Sequence, residues 1–574
     1  MTKNRKTLMS CLLVALCVGS ASAGEHRISV EEYRDKMKAG WLGQMIGVGW
    51  GHPTEFRYSS KIIPEDKVPL WDPKMVNQYR NDDLYVEMTF IKTLETYGVD
   101  VSARQAGIDY ANSQFHVVHA NHFGRDALRS GIAPPDSGHP QFNRGGVNGV
   151  HSVHSDDIDY QIESDYSGLI APGMPNVPIE LGEKFGVLMN YGDGVYAGQF
   201  MGAMIAEAFF ETDMEKVVVA GLKAIPAGSQ YHECISDVLN WYKANPNPND
   251  WQKTWQILED KYGMNADNYH RVTCYTPHGI DVKINGAYAV MGLLYGKGDI
   301  AETCKISMRC GLDSDCNPSS AVGILATSLG TEGIKEYTSA LDMEERFNAS
   351  EYTFDKLMTV CEKLAREFVV DQGGSIEKDA SGKEWFVIPV KKPVPSKLVQ
   401  SYDPEPPTGN RFTKEEMAQM ASFSLASAFE KKFPGNPWGL TTGSCGTKKN
   451  PGFRDEYNGR ENVIASIPLE GSRNFNFGVR RKLQGPKKYK LVLEVGHEKG
   501  HSWRLIVDHV HAGAHDRVLM EDINDETATD GWKTFEIDLP KQHHRMQLQI
   551  TSWYDEEDKA PAYWSKIDFV EVEE

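Results

Sequence analysis

The sequence predicts a multidomain protein: an all-α helical bundle followed by an all-β sandwich of jelly-roll type. Three observations carry this. Apolar residues recur at helical spacing from about Val30 to Val370, a proline-rich break follows at 371–410, and from about Pro437 the period falls from 3.6 to 2. At 574 residues the chain is also too long for one ordinary domain.

The N-terminus reads as a secretory signal over 1–23. Lys3, Arg5 and Lys6 form the positive start, Leu8 to Val18 the apolar stretch, and Ala21-Ser22-Ala23 a small-residue cleavage site. Neither Cys11 nor Cys17 follows the small-residue box of a lipoprotein, so a periplasmic or secreted location is expected. The apolar stretch is too short for a bilayer span, and no stretch of about 18 apolar residues occurs elsewhere. Removing it takes away three positive charges and no negative ones, moving the formal net charge from −19 to −22. So acidic a surface repels phosphate backbones, which disfavours nucleic-acid binding. Seven cysteines remain, an odd number at scattered spacing, so the chain is no disulfide scaffold, and one or two bridges are the most it would hold.

Helical signals fill 24–370. The stretch from Asp83 to Gly98 carries Leu84, Met88, Ile91 and Leu94 at helical spacing and stops at glycine. Tyr196–Phe210, Gly286–Tyr295 and Ser319–Leu329 are apolar nearly all round, as in helices at the middle of a bundle. Residues 371–436 read as a linker with one strand near Trp385–Val390 and a short helix from Lys414 to Lys431. In 437–574, short alternating runs at Tyr489–Val495, Trp503–Val510, Trp532–Leu539, Met546–Tyr554 and Tyr563–Val572 read as strands. Trp503, Trp532, Trp553, Tyr554, Tyr563 and Trp564 either fill the sandwich core or stack on sugar rings.

Two acidic helix starts carry the chemistry. Asn81-Asp82-Asp83 precedes the helix from Leu84, and Asp313-Ser314-Asp315-Cys316-Asn317 precedes Pro318 and the helix from Ser319. Capping alone explains one oxygen at each, not four carboxylates. Carboxylates that close repel unless protons or a cation intervene, and a hard cation with oxygen ligands, Mg²⁺ or Ca²⁺, is the economical answer. A glycine-spaced segment, Gly40 to Gly51, runs through His52-Pro53-Thr54 to an isolated carboxylate, Glu55.

In that order, a Gly-spaced first helix ending in Pro-Thr-Glu-Phe, a double Asp, and Gly-Leu-Asp-Ser-Asp, the chain resembles the ADP-ribosylglycohydrolase superfamily over roughly residues 30–345. The resemblance implies an orthogonal helical bundle around one or two Mg²⁺ ions that bind ribose hydroxyls while water attacks the glycosidic carbon. It assigns Glu55, Asp82, Asp83, Asp313 and Asp315 as metal ligands or as groups handling that water, with Asp315 catalytic. The chain departs from the family pattern at Val48, Asn81, Leu84 and Cys316. A thiol is a poor partner for a hard cation, so a metal-free site stays open as an alternative.

A second acidic run, His151 to Asp165, holds five carboxylates and two imidazoles, with Ile158, Ile162, Tyr166 and Leu169 on one helical face. Glycosidic cleavage needs an acid and a base with separated pKa values, and Glu163 and Asp165 are the candidates here. Asp157, Asp159, Tyr191, Asp193, His119 and Asn317 are candidate substrate contacts. His116, His119 and His122 crowd one region, but their spacing does not make a zinc site without cysteines nearby. The expected function is an exported hydrolase of an N- or O-glycosidic bond in a glycan, ribosyl-type sugar or nucleotide sugar. The alternatives are an ADP-ribosyl hydrolase acting on exported targets, and a glycan-binding protein that has lost catalysis.

Overall fold

The computed structural model describes residues 24–113, 115, 117–147, 150–263, 266, 279–420, 453–468, 473–479, 488–511, 514–539, 547–555 and 559–572. The expected signal segment, His116 and the end of the helix expected to reach Lys431 lie outside them.

Sixteen α-helices occur among the described residues, nearly all before residue 372. They are α1 (Val30–Gly51), α2 (Asp82–Tyr97), α3 (Ala103–Asn112), α4 (His119–Arg129), α5 (Asp159–Ile162), α6 (Asp165–Leu169), α7 (Asn176–Lys184) and α8 (Asp193–Ala208). Then follow α9 (Met214–Lys223), α10 (Gln230–Ala244), α11 (Trp251–Tyr262), α12 (Val282–Tyr295), α13 (Ile300–Arg309), α14 (Cys316–Leu329), α15 (Phe354–Asp371) and the single-turn α16 (Lys414–Met417). No helix among the described residues is long and apolar enough to cross a membrane.

The bundle is organised on α1 and α14. Every residue of α1 from Ala39 to Gly51 is buried, as is α14 from Cys316 to Ser328. Glycines on one stripe of α1 let the backbones meet. A Cβ on Gly43 would stand 2.6 Å from the Val322 carbonyl oxygen, on Gly47 2.2 Å from that of Pro318, and on Gly51 2.1 Å from that of Ser314. The partners descend as the glycines ascend, so the helices run antiparallel. The C-terminal end of α1 therefore lies on the N-terminal end of α14, and the loop that carries Glu55 meets the Asp313–Asp315 motif there.

Residues 371–412, read above as linker, are bound to the helical unit. β4 (Ser375–Lys378) and β5 (Glu384–Pro389) form a three-stranded antiparallel sheet with β1 (Glu25–Ser29), in the order β1-β5-β4. Beyond it, Ser401 Oγ accepts from the Asp193 backbone N–H at 2.8 Å, and the buried Asp136 carboxylate accepts from the N–H groups of Thr408, Gly409 and Asn410 at 2.8, 2.8 and 3.0 Å. Proline-rich composition removes helix and sheet signals from such a strap, but cannot show where its backbone donors dock.

A hairpin of β2 (Arg144–Val147) and β3 (Val150–Val153) precedes the second acidic run. The single helix expected from there to Leu169 is instead two short ones, α5 and α6, broken at Glu163–Ser164.

The C-terminal part comprises β6 (Phe453–Tyr457), β7 (Arg460–Ser466), β8 (Asn474–Val479), β9 (Lys488–Gly496), β10 (Trp503–His511), β11 (Ala514–Ile523), β12 (Trp532–Asp538), β13 (Gln547–Trp553) and β14 (Ala562–Val572). They form a four-stranded sheet, β11-β10-β13-β8, and a five-stranded sheet, β12-β9-β14-β7-β6, antiparallel and not closed into a barrel. Leu491, Leu493, Trp564 and Ile567 of one sheet share a core with Leu505, Val507, Leu548 and Ile550 of the other.

A carboxylate-lined candidate active site

The α1–α14 seam delivers Glu55 to Asp313 and Asp315. Two backbone bonds lock the loops that carry them: Phe56 N–H to Leu312 O at 3.0 Å, and Leu312 N–H to Tyr58 O at 3.1 Å. Gly311 sits between them at φ +89°, where a side chain would be strained and a Cβ would stand 2.4 Å from Tyr58 O. The Thr54 and Ser314 hydroxyls meet at 2.8 Å. His52 Nδ1 lies 3.3 Å from Glu55 Oε2 and 3.5 Å from Asp315 Oδ2, so an imidazole missed in the sequence joins the cluster.

Capping does not account for these acids. The α2 N-cap is Asn81, whose side chain accepts from the Asp83 N–H at 3.0 Å, leaving the carboxylates of Asp82 and Asp83 out of that bond. At α14 the N-cap residue, Asp315, makes no side-chain cap bond. Asp83 is fully buried, and neither of its oxygens has a hydrogen-bond partner of good geometry, although the Cys316 thiol and Ser319 hydroxyl lie near enough to lower its pKa in part. Asp313 Oδ1 is likewise buried and unpartnered. Burial, then the neighbouring Asp315, pushes both carboxyls well above the usual carboxylate range. Burial and Asp315 push Glu55 up to about 7 against the opposing pull of His52.

The magnitudes decide what such a cluster needs. Two like charges about 4 Å apart repel by about 4 kcal/mol at an effective dielectric of about 20. A helix N-terminus returns only about 0.3–1 kcal/mol, so the starts of α2 and α14 cannot hold these carboxylates ionised together. Protons or a cation must compensate. Glu55, Asp313 and Asp315 with His52 and Cys316 supply ligand atoms within 4.8 Å of one another in two overlapping triplets, His52-Glu55-Asp315 and Asp313-Asp315-Cys316. The oxygen donors and the orphaned oxygens of Asp83 and Asp313 fit a hard divalent cation. Cys316, whose Sγ lies 3.7 Å from Asp315 Oδ1 and whose thiol burial pushes up in pKa, fits one poorly.

The second acidic run continues this site on one side only. Glu163 is fully buried, and its pKa is raised by burial, by Asp159, and further by the charges of Asp82 and Asp83. Asn121 connects this side. Its Nδ2 donates to Glu163 Oε1, its backbone N–H donates to Asp159 Oδ2 at 2.9 Å, and its Oδ1 accepts from the Tyr110 hydroxyl. Glu163 Oε2 has no partner. Asp157 accepts from the Ala120 N–H at 3.1 Å and lies 3.0 Å from His154 Nδ1, whose ring centroid is 5.6 Å from that of His119.

Asp165 goes elsewhere. The break at Glu163–Ser164 turns it into the interior, beside Ser320 and Gly323 of α14 and close to Glu87. Glu87 lies one helical turn beyond Asp83, fully buried, accepting from the Tyr166 N–H at 2.7 Å. Burial pushes the Asp165 carboxyl up to about 8. The spacing of Glu87 four residues after Asp83 on the inward face of α2 was the signal that could have found it.

Three other candidates are structural in their surroundings. Asp193 accepts from the Tyr231 N–H at 2.9 Å and, with Asp156 and Asp281, surrounds the buried Lys283 ammonium. The Tyr191 hydroxyl accepts from the Glu405 N–H at 3.2 Å and its ring abuts His139, so it holds the strap. Asn317 donates to Asn285 Oδ1 at 2.9 Å and keeps a buried, unpartnered Oδ1. Of the sandwich aromatics, Trp503, Tyr554, Tyr563 and Trp564 are buried, while Trp532 and Trp553 are half-buried. Cys234, Cys304, Cys310, Cys316 and Cys361 are free and buried, and Cys274 and Cys445 lie outside the described residues.

The comparisons with known proteins accord with this geometry. No curated protein matches the chain significantly. A solved structure described as an ADP-ribosylglycohydrolase-related protein complex aligns at 12% identity and TM-score 0.35, over 59% of this chain and 99% of that one. A second, described as CBM4 structure and function, aligns at 11% identity and TM-score 0.15, over 25% of this chain and 83% of that one. The family model of the ADP-ribosylglycohydrolases, a family of glycosyl-hydrolase type, matches residues 29–373, which takes in the α1–α14 seam and every carboxylate described above. The chain belongs to the ADP-ribosylglycohydrolase family.

Proposed function

We propose that the protein is an exported hydrolase of a glycosidic bond whose carboxylate cluster works with a hard divalent cation, Mg²⁺ or Ca²⁺. The observation that carries this is the orphaned state of Asp83 and Asp313, buried carboxylates that no hydrogen bond or basic side chain compensates in full. Glu55, Asp82, Asp83, Asp313 and Asp315 would hold the ion. When bound it supplies charge neutralisation and an anchor for vicinal sugar hydroxyls.

The chain's own residues do the rest. Glu163 feels the charges of Asp82 and Asp83, with one oxygen held by Asn121 and the other unpartnered. Its burial favours the neutral acid, the form that donates a proton to a leaving oxygen or nitrogen. Glu55, half-buried and 3.3 Å from His52 Nδ1, is the carboxylate placed to take a proton from an attacking water. Asp315, bridged to Glu55 through His52, orients that pair. Asp165, fully buried beside Glu87 and Ser320, acts as a positioning residue with Glu87.

Substrate class is part of the same proposal. Tyr85, one turn along α2 from Asp82, lines a cavity of about 430 Å³ with Phe115, Tyr352, Thr89 and Asn112, large enough for a ring beyond the scissile bond. Trp532 and Trp553 of the sandwich are half-buried and offer ring surface that could stack on a glycan.

The test is hydrolysis by the mature chain of ADP-ribose and of aryl furanosides, with Glu163→Gln beside the wild type. Turnover of either substrate that falls by at least about 100-fold in the variant supports an acid role for Glu163. Tight glycan binding with no turnover of any substrate would make the protein a lectin-like relative.

A further inference from the structure

The local spacing of His116, His119 and His122 makes no zinc site, but the fold supplies other partners. His119 opens α4, and the second acidic run brings His154 and Asp157 against it. Ligand atoms of His119, His154 and Asp157 lie within 4.8 Å of one another, two of the residues buried and His119 partly exposed. We infer that these three side chains form a second cation site, one for a borderline transition ion such as Zn²⁺ and separate from the all-carboxylate cluster.

Donor chemistry separates the two sites. Two imidazoles and one carboxylate are the set that zinc takes in sites with an open fourth position, whereas Mg²⁺ and Ca²⁺ select oxygen. The side chains are also held in place. Asp157 is fixed by the N–H groups of Ala120 and Asp159 at 3.1 and 3.4 Å. Phe123 stacks on the His154 ring at 5.0 Å and 27°, giving the site an apolar wall. His154 is 6% exposed, and its burial favours the neutral imidazole that a metal requires. His119 holds a left-handed backbone, φ +50°, uncommon for any residue but glycine. His154 Nδ1 and Asp157 Oδ2 already stand 3.0 Å apart, so a cation held there would take deprotonated donors from both.

The site borders the proposed acid without depending on it. Asn121, two residues after His119, donates to both Asp159 and Glu163, so the two sites share a neighbour. The inference stands even if the glycosidase reading fails, because its readout is binding of the metal alone.

The experiment uses the full mature chain, stripped with chelator and held in excess Mg²⁺ to occupy the carboxylate cluster. It is titrated with Zn²⁺ by calorimetry and with Co²⁺ by visible absorption. One equivalent of each is expected to bind, with proton release for Zn²⁺. His119→Ala and His154→Gln should each weaken binding by more than about tenfold, while Asp315→Asn leaves it unchanged. His119 is partly exposed, so its variant should fold, and an unchanged Mg²⁺ thermal shift checks this. No Zn²⁺ binding in excess Mg²⁺ would overturn the inference. So would binding lost in Asp315→Asn but kept in His119→Ala, which would place the ion among the carboxylates.

Discussion

Replacing Asp83 by Asn should raise the stability of the metal-free protein while abolishing its response to Mg²⁺. Asp83 is fully buried, lacks a good hydrogen-bond partner, and feels the charges of Asp315 and Asp82. One like-charge pair at about 4 Å amounts to about 4 kcal/mol at an effective dielectric of about 20. Partial protonation already relieves some of that, so the neutral isostere should gain about 1–3 kcal/mol without metal, the remaining fraction of one such pair. In the wild type, Mg²⁺ at 100 times its dissociation constant contributes about 2.7 kcal/mol by mass action. For a helical unit of this length that raises Tm by about 4 °C. The assay is thermal unfolding of chelated protein across a Mg²⁺ titration, with both proteins in parallel. A variant less stable than wild type without metal, yet still stabilised by Mg²⁺, would refute the claim that these carboxylates repel and share an ion.

Three further outcomes follow from the same contacts. Gly47→Ala puts a methyl 2.2 Å from the Pro318 carbonyl oxygen, so it should cost about 1–3 kcal/mol in unfolding free energy and lower metal affinity by splaying Glu55 from Asp315. Metal-free stability should fall with rising pH between about 4 and about 8. Asp165 keeps its proton to about pH 8 when folded and loses it near its ordinary value when unfolded, so the native state binds more protons across that window. One such group contributes up to about 1.4 kcal/mol per pH unit, and urea midpoints for Asp165→Asn should show a flatter slope. Asp136→Asn turns one of the two oxygens that hold the strap at Thr408, Gly409 and Asn410 into a donor facing N–H groups, costing about 1.5–3 kcal/mol, and limited proteolysis should then cut within 391–412.

What the sequence revealed was what it encodes locally. Period and glycine spacing sufficed for α1, α2, α8, α12 and α14, and alternation for β9, β10, β12, β13 and β14. The edge strands β6 and β11 are rich in charge, Phe453–Tyr457 and Ala514–Ile523, and lack the apolar alternation that marks a half-buried strand. Glu55, Asp82, Asp83, Asp313 and Asp315 could be named as a set because their motifs keep an order along the chain. Their meeting depends on backbone approach at Gly47 and Gly51, which no side-chain pattern displays. The second acidic run misled in one respect. Ile158, Ile162 and Tyr166 keep helical spacing, but the helix breaks at Glu163, leaving Glu163 near Asp82 and Asp83 and Asp165 near Glu87. Asp193 looked like a loop ligand because its partners, Tyr231 and Lys283, lie 38 and about 90 residues away, beyond any spacing rule.

The most direct test of the central claim is reducing-sugar release by the mature chain after chelation, after Mg²⁺ is restored, and in Asp313→Asn. Metal-assisted glycosidic hydrolysis predicts release only in the restored wild type. Equal release in all three samples would contradict it, and would mean that the carboxylates cleave the bond with protons alone.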